Sequence, residues 1–377
     1  MSLLSLGSLR GVMRAIVQAF PVPKILIPPT AGIDISDASI KWLIFAQAPL
    51  GLRVQSFGEV LLPPGAVESG IIRNGEALAA VLAQVRRDMH GVSAAHAALP
   101  EEAAYVFSMS IPPKTPHDQV LRMIEFEFEG RVPIPPSAAV YDYTVMHAQE
   151  DEHTEISVVV FPRDVASAYV EAFNAAGITL LSLEIEARSI ARAVSSNDAT
   201  EPMTLLVDFG RARTGFAVIR EGTPIFTSTV EVGGDFMTRS LTEKMAMSPE
   251  DVEKFKNDQG LVPLANRDSS LVEALLGTAS TLADEVARHY HYWDTRRNEH
   301  GERMTPLGQI ILVGGNANLR GLSDYIAGRV QATAVRGNVW RNVAPFDAYI
   351  PPITRNTSMQ YATAIGLALR NFLGHRL

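Results

Sequence analysis

The chain has 377 residues, of which 47% are hydrophobic and 20% are charged, and its formal net charge is -8 at pH 7. A length above the roughly 100 to 200 residues of one domain predicts two lobes or more, and the composition excludes a disordered or collagen-like chain. The negative net charge, with no run of five Lys or Arg, argues against nucleic acid as a partner.

The first 30 residues are predicted to form an amphipathic segment followed by a proline-rich connector. Apolar residues between Leu3 and Val17 fall near one helical face, and Arg10 and Arg14 interrupt them. These arginines, and the lack of a small-residue cleavage site, argue against a signal peptide. Two roles stay open for this helix: packing on the protein or a partner, and shallow attachment to a membrane surface.

A hairpin with an aspartate at its entry is predicted in AGIDISDASIKWLIFA, where Asp34 precedes the polar turn. The same plan recurs in LLVDFGRARTGFAVIR, where Asp208 has the matching place. No window along the chain reaches the roughly 18 to 20 consecutive apolar residues of a membrane-spanning helix. The duplicated hairpin predicts two related lobes that face each other across a cleft, where ligands usually bind.

Capping residues mark several predicted helices. Asn74 is expected to cap one helix, Thr115–Asp118 forms a capping-box-like start to another, and Gly177 suits the left-handed position that ends a third. The longest helical pattern spans about Ser270 to Arg297, and its apolar face is expected to pack on a core. From residue 150 onward strands alternate with helices, which predicts a mixed or parallel sheet of the α/β class.

The two hairpin turns carry groups that suit a nucleotide. Turn amides can bind the β and γ phosphates, and carboxylates can hold Mg²⁺ through water because this ion keeps much of its hydration. We therefore assign Asp34 and Asp208 to a hydrated Mg²⁺. The predicted phosphate-binding residues are Ser36, Asp37, Ala38, Ser39 and Lys41 in the first turn, and Gly210, Arg211 and Thr214 in the second.

Two junctions of a strand, paired glycines and a helix follow, at Gly233–Gly234 and at Gly314–Gly315. Paired glycines let the backbone approach a ligand closely and aim a helix N-terminus at it. A tight turn is the other reason for paired glycines. Two Asp-led turns and two such junctions in this order favour a nucleotide site.

With these motifs, the chain resembles the actin, FtsA and Hsp70 superfamily over nearly its whole length. GIDISDASIK is similar to the first phosphate loop, VDFGRART to the second, and ILVGGNANLRGL to the adenosine motif. The resemblance implies an α/β actin-like ATPase fold, in which two ribonuclease H-like lobes surround a nucleotide cleft. It also implies ATP and Mg²⁺ as cofactors and an inserted subdomain of the FtsA and PilM type.

The same resemblance implies further roles for individual residues. VEKFKNDQG matches the spacing of the ribose-contacting helix, and LEIEARSIARAV resembles the inter-lobe crossover. The crossover implies that Glu186 positions the attacking water. An exposed glutamate that caps a helix would give the same sequence pattern. The implied adenosine and ribose contacts are Gly233, Gly234, Glu253, Lys256, Gly314, Gly315, Asn316 and Leu319.

The sequences of the insert and of the C-terminal segment ITRNTSMQYATAIGLALRNF resemble those of the PilM family of type IV pilus assembly proteins. That resemblance implies a cytoplasmic scaffold at the inner face of the cytoplasmic membrane. It implies a groove that binds the short cytoplasmic tail of an inner-membrane PilN-like protein, with other pilus assembly proteins and self-association as further contacts. The expected segments are 1–30, the first lobe 31–97, the insert 98–176, the crossover 177–200, the second lobe 201–345 and the return 346–377.

Three positions depart from the superfamily pattern. Ser36 replaces a glycine, Asn316 replaces a small residue, and Asp37 places a carboxylate where a γ-phosphate would lie. A carboxylate about 4 Å from a phosphate oxygen costs several kcal/mol at an effective dielectric near 20 unless a cation intervenes. We therefore expect Arg211 to pair with Asp37 or to bind the phosphate, and ATP hydrolysis to be slow at most.

Two other functions are compatible with the superfamily. A small-molecule kinase would need an aspartate base beside a sugar hydroxyl and a substrate pocket in place of the insert, and we find no such motif. An FtsA-like cell-division tether normally carries its membrane helix at the C-terminus. The final residues here, ALRNFLGHRL, are instead expected to belong to the last helix.

Overall fold

The computed structural model describes residues 28–49, 51–148, 153–196, 200–262, 269–297 and 305–373. The amphipathic helix predicted near the N-terminus lies outside these residues. Within the described ranges, none of the helices combines the length and the apolar character needed to cross a bilayer.

Fifteen strands are found in the described ranges: β1 Ala31–Ile35, β2 Ser39–Ala48, β3 Gly51–Leu61, β4 Val67–Glu68, β5 Ile71–Ile72, β6 Ala94–Leu99, β7 Tyr105–Ile111, β8 Ala139–Ala148, β9 Thr154–Pro162, β10 Thr179–Ile185, β11 Thr204–Phe209, β12 Thr214–Arg220, β13 Thr223–Val230, β14 Gln309–Val313 and β15 Ala334–Arg336. The α-helices of the same ranges are α1 Gly75–Asp88, α2 His117–Arg131, α3 Arg163–Ala175, α4 Glu186–Val194, α5 Asp235–Met245, α6 Pro249–Asp258, α7 Ser269–Thr295, α8 Leu322–Val330, α9 Arg355–Ser358 and α10 Ala362–Ala368.

The two five-stranded sheets share one topology. The first has the order β10-β6-β1-β2-β3 and the second the order β13-β12-β11-β14-β15. In each, three antiparallel strands are followed by two strands that join in parallel. The predicted hairpins are β1–β2 and β11–β12, so Asp34 and Asp208 are each the penultimate residue of the central strand of their sheet.

The sequence signals for helix ends have mixed outcomes. Asn74 caps α1 as predicted, because its side chain accepts a hydrogen bond from the amide of Ala77. Gly177 follows α3 with φ +69°, as expected of a left-handed position. The capping box predicted at Thr115 is wrong, because the Thr115 hydroxyl donates back to the Pro112 carbonyl and α2 has no side-chain cap.

A separate three-stranded sheet, in the order β7-β9-β8, forms the insert together with α2. Its own apolar core contains Ile124, Phe128 and Val158. Helix α3 had been expected inside the insert, but its buried residues Tyr169 and Phe173 belong to the main core, since α3 packs on α1. The insert of the structure therefore ends with β9, short of the predicted boundary at residue 176.

The C-terminal return lies between the parts of the first lobe that carry site residues. Helix α10 is buried along its length and packs on both β1 and α4. Gly366 of α10 meets the backbone of Ser189 in α4, and Gly32 of β1 meets the backbone of α10 at Ala364, so closely that a Cβ at either glycine would overlap it. The return helix thereby sets the separation of β1 from α4.

Candidate functional site

Carboxylates gather at one edge of the first sheet. Strands β1, β6 and β10 run parallel, so their carboxyl ends lie at the same edge, where ligands bind in sheets of this kind. Asp34 is near the end of β1, Glu101 follows β6, and Glu186 begins α4 directly after β10. Glu101 is buried and accepts a hydrogen bond from the Ala187 amide in the first turn of α4.

Asp208 of the second lobe faces this edge. The raised pKa values of these four carboxyl groups reflect how many carboxylates are crowded into this region. Burial and the charge of Asp34 raise the pKa of Asp208 to about 7. Burial raises that of Asp34 to about 6 against the opposing effect of Lys41, and burial raises that of Glu101 to about 7. Burial and Asp34 raise the pKa of Glu186 well above its ordinary value. The cleft therefore concentrates carboxylate charge that Lys41 offsets only in part.

The first turn is closed by its own side chains. Ser36 donates to the Ser39 carbonyl and accepts from the Ser39 amide, so its hydroxyl closes the turn at the position where the superfamily has a glycine. Lys41 donates to the Ser39 hydroxyl at 2.8 Å and pairs with Glu59 at 3.1 Å. The Ala38 carbonyl accepts from Leu62. The turn that the sequence assigned to phosphate is thus a rigid hairpin with one ammonium beside Asp34.

Asp37 lies between the two lobes. Its carboxylate accepts hydrogen bonds from the amides of Ser69 and Gly70, at 3.2 and 3.0 Å, in the turn between β4 and β5. It also pairs with Arg213 of the second turn, and the same guanidinium pairs with Glu102. Burial alone would lower the pKa of Arg213, but the carboxylates of Glu102 and Asp37 raise it above its ordinary value.

The expected pairing of Arg211 with Asp37 is wrong. Arg211 bonds to Asp235 in its own lobe at 3.1 Å, and its side chain is 73% exposed. Arg213, two residues further along the turn, pairs with Asp37 instead. Sequence reasoning missed both Arg213 and Glu102, although two adjacent glutamates directly after a strand could have indicated the carboxylate edge.

The second turn is held by close backbone contacts. A Cβ at Gly233 would overlap the backbone of residues 211–213, and one at Gly314 would overlap the Asp208 carboxylate. Gly210 accepts from the Gly234 amide at 3.1 Å. Thr214 is fully buried and its hydroxyl donates to the Val232 carbonyl at 2.6 Å. This hydrogen bond joins the start of β12 to the segment after β13, and the expected contact of Thr214 with phosphate stays a prediction.

Asn316 connects the second turn to the predicted ribose helix α6. Its amide donates to the Gly210 carbonyl at 2.8 Å, and its carbonyl accepts from the Lys256 ammonium at 2.8 Å. Lys256 is buried and also bonds to Glu253 at 2.7 Å. The Asn316 side chain fills the space in which a Cβ at Gly234 would lie. An asparagine at position 316, where the superfamily has a small residue, therefore requires glycine at position 234.

A cavity of about 260 Å³ lies beside the loop that follows Gly315. It is bordered by Asn257 at the end of α6, by Leu319, which is otherwise part of the main core, and by Arg336. Gly315 itself packs against the side chain of Gln360. A larger cavity of about 660 Å³ runs along β3 and contains none of the predicted site residues.

The two aspartates of the cleft fit a divalent cation that is bound through its waters. In the part of the chain that the structure describes, no three His, Cys, Asp or Glu side chains are close enough to hold a metal ion together. Asp34 and Asp208 nevertheless face each other with raised pKa values, which a cation between them would lower again. Mg²⁺ that keeps its waters fits this donor set.

Comparison with known proteins identifies one family that matches most of the chain and a curated relative that matches part of it. A family model described as type IV pilus assembly protein PilM matches residues 32–372. Cell division protein FtsA of Streptococcus pneumoniae serotype 2 (strain D39) is 26% identical over 174 residues, which are 43% of this chain and 38% of FtsA. The match therefore spans well under half of that relative.

Three solved structures share the fold. A PilM–PilN type IV pilus biogenesis complex has a TM-score of 0.71 at 18% identity, covering 90% of this chain and 97% of the other. EutJ from Carboxydothermus hydrogenoformans has a TM-score of 0.52 at 18% identity, covering 96% and 97%. MreB5 of Spiroplasma citri bound to ADP has a TM-score of 0.52 at 14% identity, covering 90% and 94%. The expectation of an actin-like fold is confirmed.

Proposed function

The chain belongs to the family of type IV pilus assembly protein PilM, and from this premise we propose that it is an ATP-binding scaffold. Mg-ATP in the cleft sets the angle between the two lobes, and this angle controls the binding of a membrane partner. The partner is an inner-membrane PilN-like protein, bound through its short cytoplasmic tail. In this proposal the scaffold works in the cytoplasm, at the inner face of the membrane.

One observation carries the nucleotide part of the proposal. Asp34 and Asp208 lie at the ends of the central strands of two sheets of equal topology, the charge of Asp34 helps to raise the pKa of Asp208, and both aspartates help to raise the pKa of Glu186. Two partly buried carboxylates that face each other are costly unless a cation or protons neutralise them. A hydrated Mg²⁺ with the phosphates of ATP supplies that neutralisation.

The remaining residues take roles that their contacts permit. Lys41 and the backbone of the two turns would bind phosphate, and Glu253 with Lys256 would bind the ribose. Glycines at 233, 234, 314 and 315 would allow close approach of the backbone to the nucleotide. Glu186, at the start of α4, would orient a water molecule. Burial and the charge of Asp34 raise the pKa of this carboxyl. Slow turnover is expected because Asp37 places a further carboxylate where the γ-phosphate would lie.

Isothermal titration calorimetry tests the nucleotide site. Mg-ATP is expected to bind the native chain, and Asp208→Asn is expected to weaken this binding by about a hundredfold, because the metal loses one of its two carboxylate partners. Asp284→Asn is the matched control, since Asp284 is an exposed residue of the same lobe that pairs with Arg329. No binding of ATP at millimolar concentration would refute the proposed site.

Fluorescence anisotropy tests the partner. The probe is a labelled synthetic peptide with the sequence of the cytoplasmic tail of a PilN-like protein from the same organism, and a scrambled peptide is the control. Mg-ATP is expected to change the tail's Kd by about 5-fold or more, the lower end of ordinary coupling between two sites. Tail binding that is identical with and without Mg-ATP would contradict control by nucleotide, and no binding in either state would contradict the tail as partner.

A further inference from the structure

Arg213 makes a three-residue contact across the cleft, which we name the clasp: Arg213, Asp37 and Glu102. Arg213 comes from the second turn, whereas Asp37 and Glu102 come from the first lobe. All three side chains are partly shielded from solvent, at 22%, 33% and 26% exposure. A guanidinium shared by two carboxylates is a charge-assisted contact with defined geometry, unlike a solvated surface pair.

The first-lobe side of the clasp is rigid. Asp37 is fixed by the amides of Ser69 and Gly70, and the Gly70 carbonyl accepts a hydrogen bond at 2.8 Å from the hydroxyl of Tyr169, a fully buried residue of α3. A Cβ at Gly70 would also overlap Pro100, which directly precedes the glutamates after β6. Asp37 therefore cannot follow Arg213 if the second lobe moves away. Separation of the lobes must break the pair.

The clasp also lies where the two predicted phosphate turns meet. Asp37 is the second residue of the first turn and Arg213 the last of the second. A phosphate group and a carboxylate compete for the same face of a guanidinium, and phosphate is a strong bidentate acceptor. Asp37, by contrast, repels a phosphate that approaches it.

We propose that the clasp distinguishes nucleoside triphosphate from diphosphate: a terminal phosphate binds by taking Arg213 from Asp37 and Glu102, whereas a diphosphate leaves the clasp closed. The clasp also holds the lobes together when no nucleotide is bound. Arg213 is thus the specificity-determining residue, and Asp37 is its competitor for the ligand. This inference goes beyond the proposed scaffold role, and only its nucleotide half depends on that role.

Calorimetry with Mg-AMP-PNP and with Mg-ADP tests the nucleotide half. Arg213→Ala is expected to weaken AMP-PNP binding by about tenfold, equal to about 1.4 kcal/mol, and to change ADP binding by less than about twofold. Asp37→Asn is expected to strengthen AMP-PNP binding by about tenfold, because its single amide oxygen can still accept from Gly70 while the side chain no longer carries the charge that repels phosphate and holds Arg213. The opposite signs exclude general damage to the fold as the cause.

Arg329→Ala is the matched control, because Arg329 pairs with Asp284 on the surface of the second lobe. If Arg213→Ala and Asp37→Asn both weaken the binding of AMP-PNP, or if ADP and AMP-PNP lose affinity equally, the clasp does not recognise the terminal phosphate. If both ligands bind each variant as they bind the native chain, the inference is likewise overturned.

Distance measurement by pulsed EPR tests the clasp without nucleotide. The chain has no Cys, so spin labels on Ala80→Cys in α1 and Thr333→Cys before β15, both exposed positions, would be the only two. The native clasp is expected to give a narrow distance distribution, Arg213→Ala a broader one shifted to longer distance, and Arg213→Lys, which keeps a positive charge between the two carboxylates, a distribution closer to the native one. A narrow distribution in Arg213→Ala would overturn the clasp.

The two measurements fail separately. If no nucleotide binds the native chain but the distance distribution depends on Arg213, the proposed nucleotide function fails and the clasp holds as a contact between lobes. If nucleotide binds but Arg213 affects neither the ligands nor the distances, the scaffold proposal stands and the clasp inference is wrong.

Discussion

At the scale of single residues, the cleft carboxylates are held against their preference for water. Burial raises the pKa of both Asp208 and Glu101 to about 7, whereas the same groups in an unfolded chain have pKa values near 4. Between about pH 4 and pH 7 the folded protein binds protons that the unfolded chain has already released. The contribution of these groups to stability is therefore greatest at the acidic end of this window and declines as pH rises through it.

Asp208→Asn is expected to stabilise the nucleotide-free protein at pH 8 and to leave its stability nearly unchanged at pH 4.5. At pH 8 the substitution removes the cost of a buried charge, on the order of 2 kcal/mol, whereas at pH 4.5 the native side chain is already neutral. Chemical unfolding at both pH values measures the difference. An equal effect at the two values would contradict this account of the cleft.

At the scale of elements, helix α10 links two parts of the site that are distant in sequence. It packs on β1, which carries Asp34, and on α4, which begins with Glu186. Both contacts need a glycine, because the backbone of the neighbouring element occupies the place of the Cβ at Gly32 and at Gly366. The carbonyl of Gly366 also accepts from Arg192 of α4 at 2.8 Å. The C-terminal return is therefore a positioning element for the cleft.

Gly366→Ala is expected to destabilise the protein by about 3 kcal/mol or more, since a methyl group would overlap backbone that cannot rotate away. Gly328→Ala is the matched control: this glycine also lies in a helix, α8, but nothing is within 4 Å of a Cβ there. It is expected to stabilise by about 0.5 to 1 kcal/mol through helix propensity. Urea unfolding midpoints compare the two, and similar shifts of both would contradict the close packing of α10 on α4.

At the scale of the whole molecule, the insert is part of the first lobe in sequence but contacts the second lobe in space. Ser157 of β9 is buried and donates to the Pro224 carbonyl of β13 at 2.6 Å. Arg220 of β12 pairs with Glu155 of β9. The clasp residue Glu102 lies just before β7, so closure of the lobes and position of the insert are connected through the same short segment.

Ser157→Ala combined with Glu155→Gln is expected to loosen the insert from the second lobe while both main sheets stay folded. The buried hydrogen bond alone contributes about 1 kcal/mol. Hydrogen exchange should become faster in β7, β9 and β13 and stay unchanged in β1 and β11. Arg122→Ala, which breaks an exposed pair within α2, is the control and should change none of these. Unchanged exchange in β13 would show that these contacts do not hold the insert.

Much of the architecture could be predicted from local sequence. Alternating strands with polar turns define β1–β2 and β11–β12, and Asn74 and Gly177 mark helix ends, because these signals act over a few residues. The insert boundary was misjudged because α3 is amphipathic whichever core it faces. Its membership in the main core is decided by α1, which lies some 80 residues earlier.

The sequence by itself determined the duplicated Asp-led hairpins and the glycine junctions, since their spacing and residue types are local properties of the chain. Only the tertiary structure decided that Arg213 rather than Arg211 reaches Asp37, that the Thr214 hydroxyl points to Val232, and that Glu101 and Glu102 join the cleft. The physical reason is that residues 176 and 111 positions apart along the chain meet only where two sheets face each other. Which of the two turn arginines reaches Asp37 therefore depends on how the two sheets face each other.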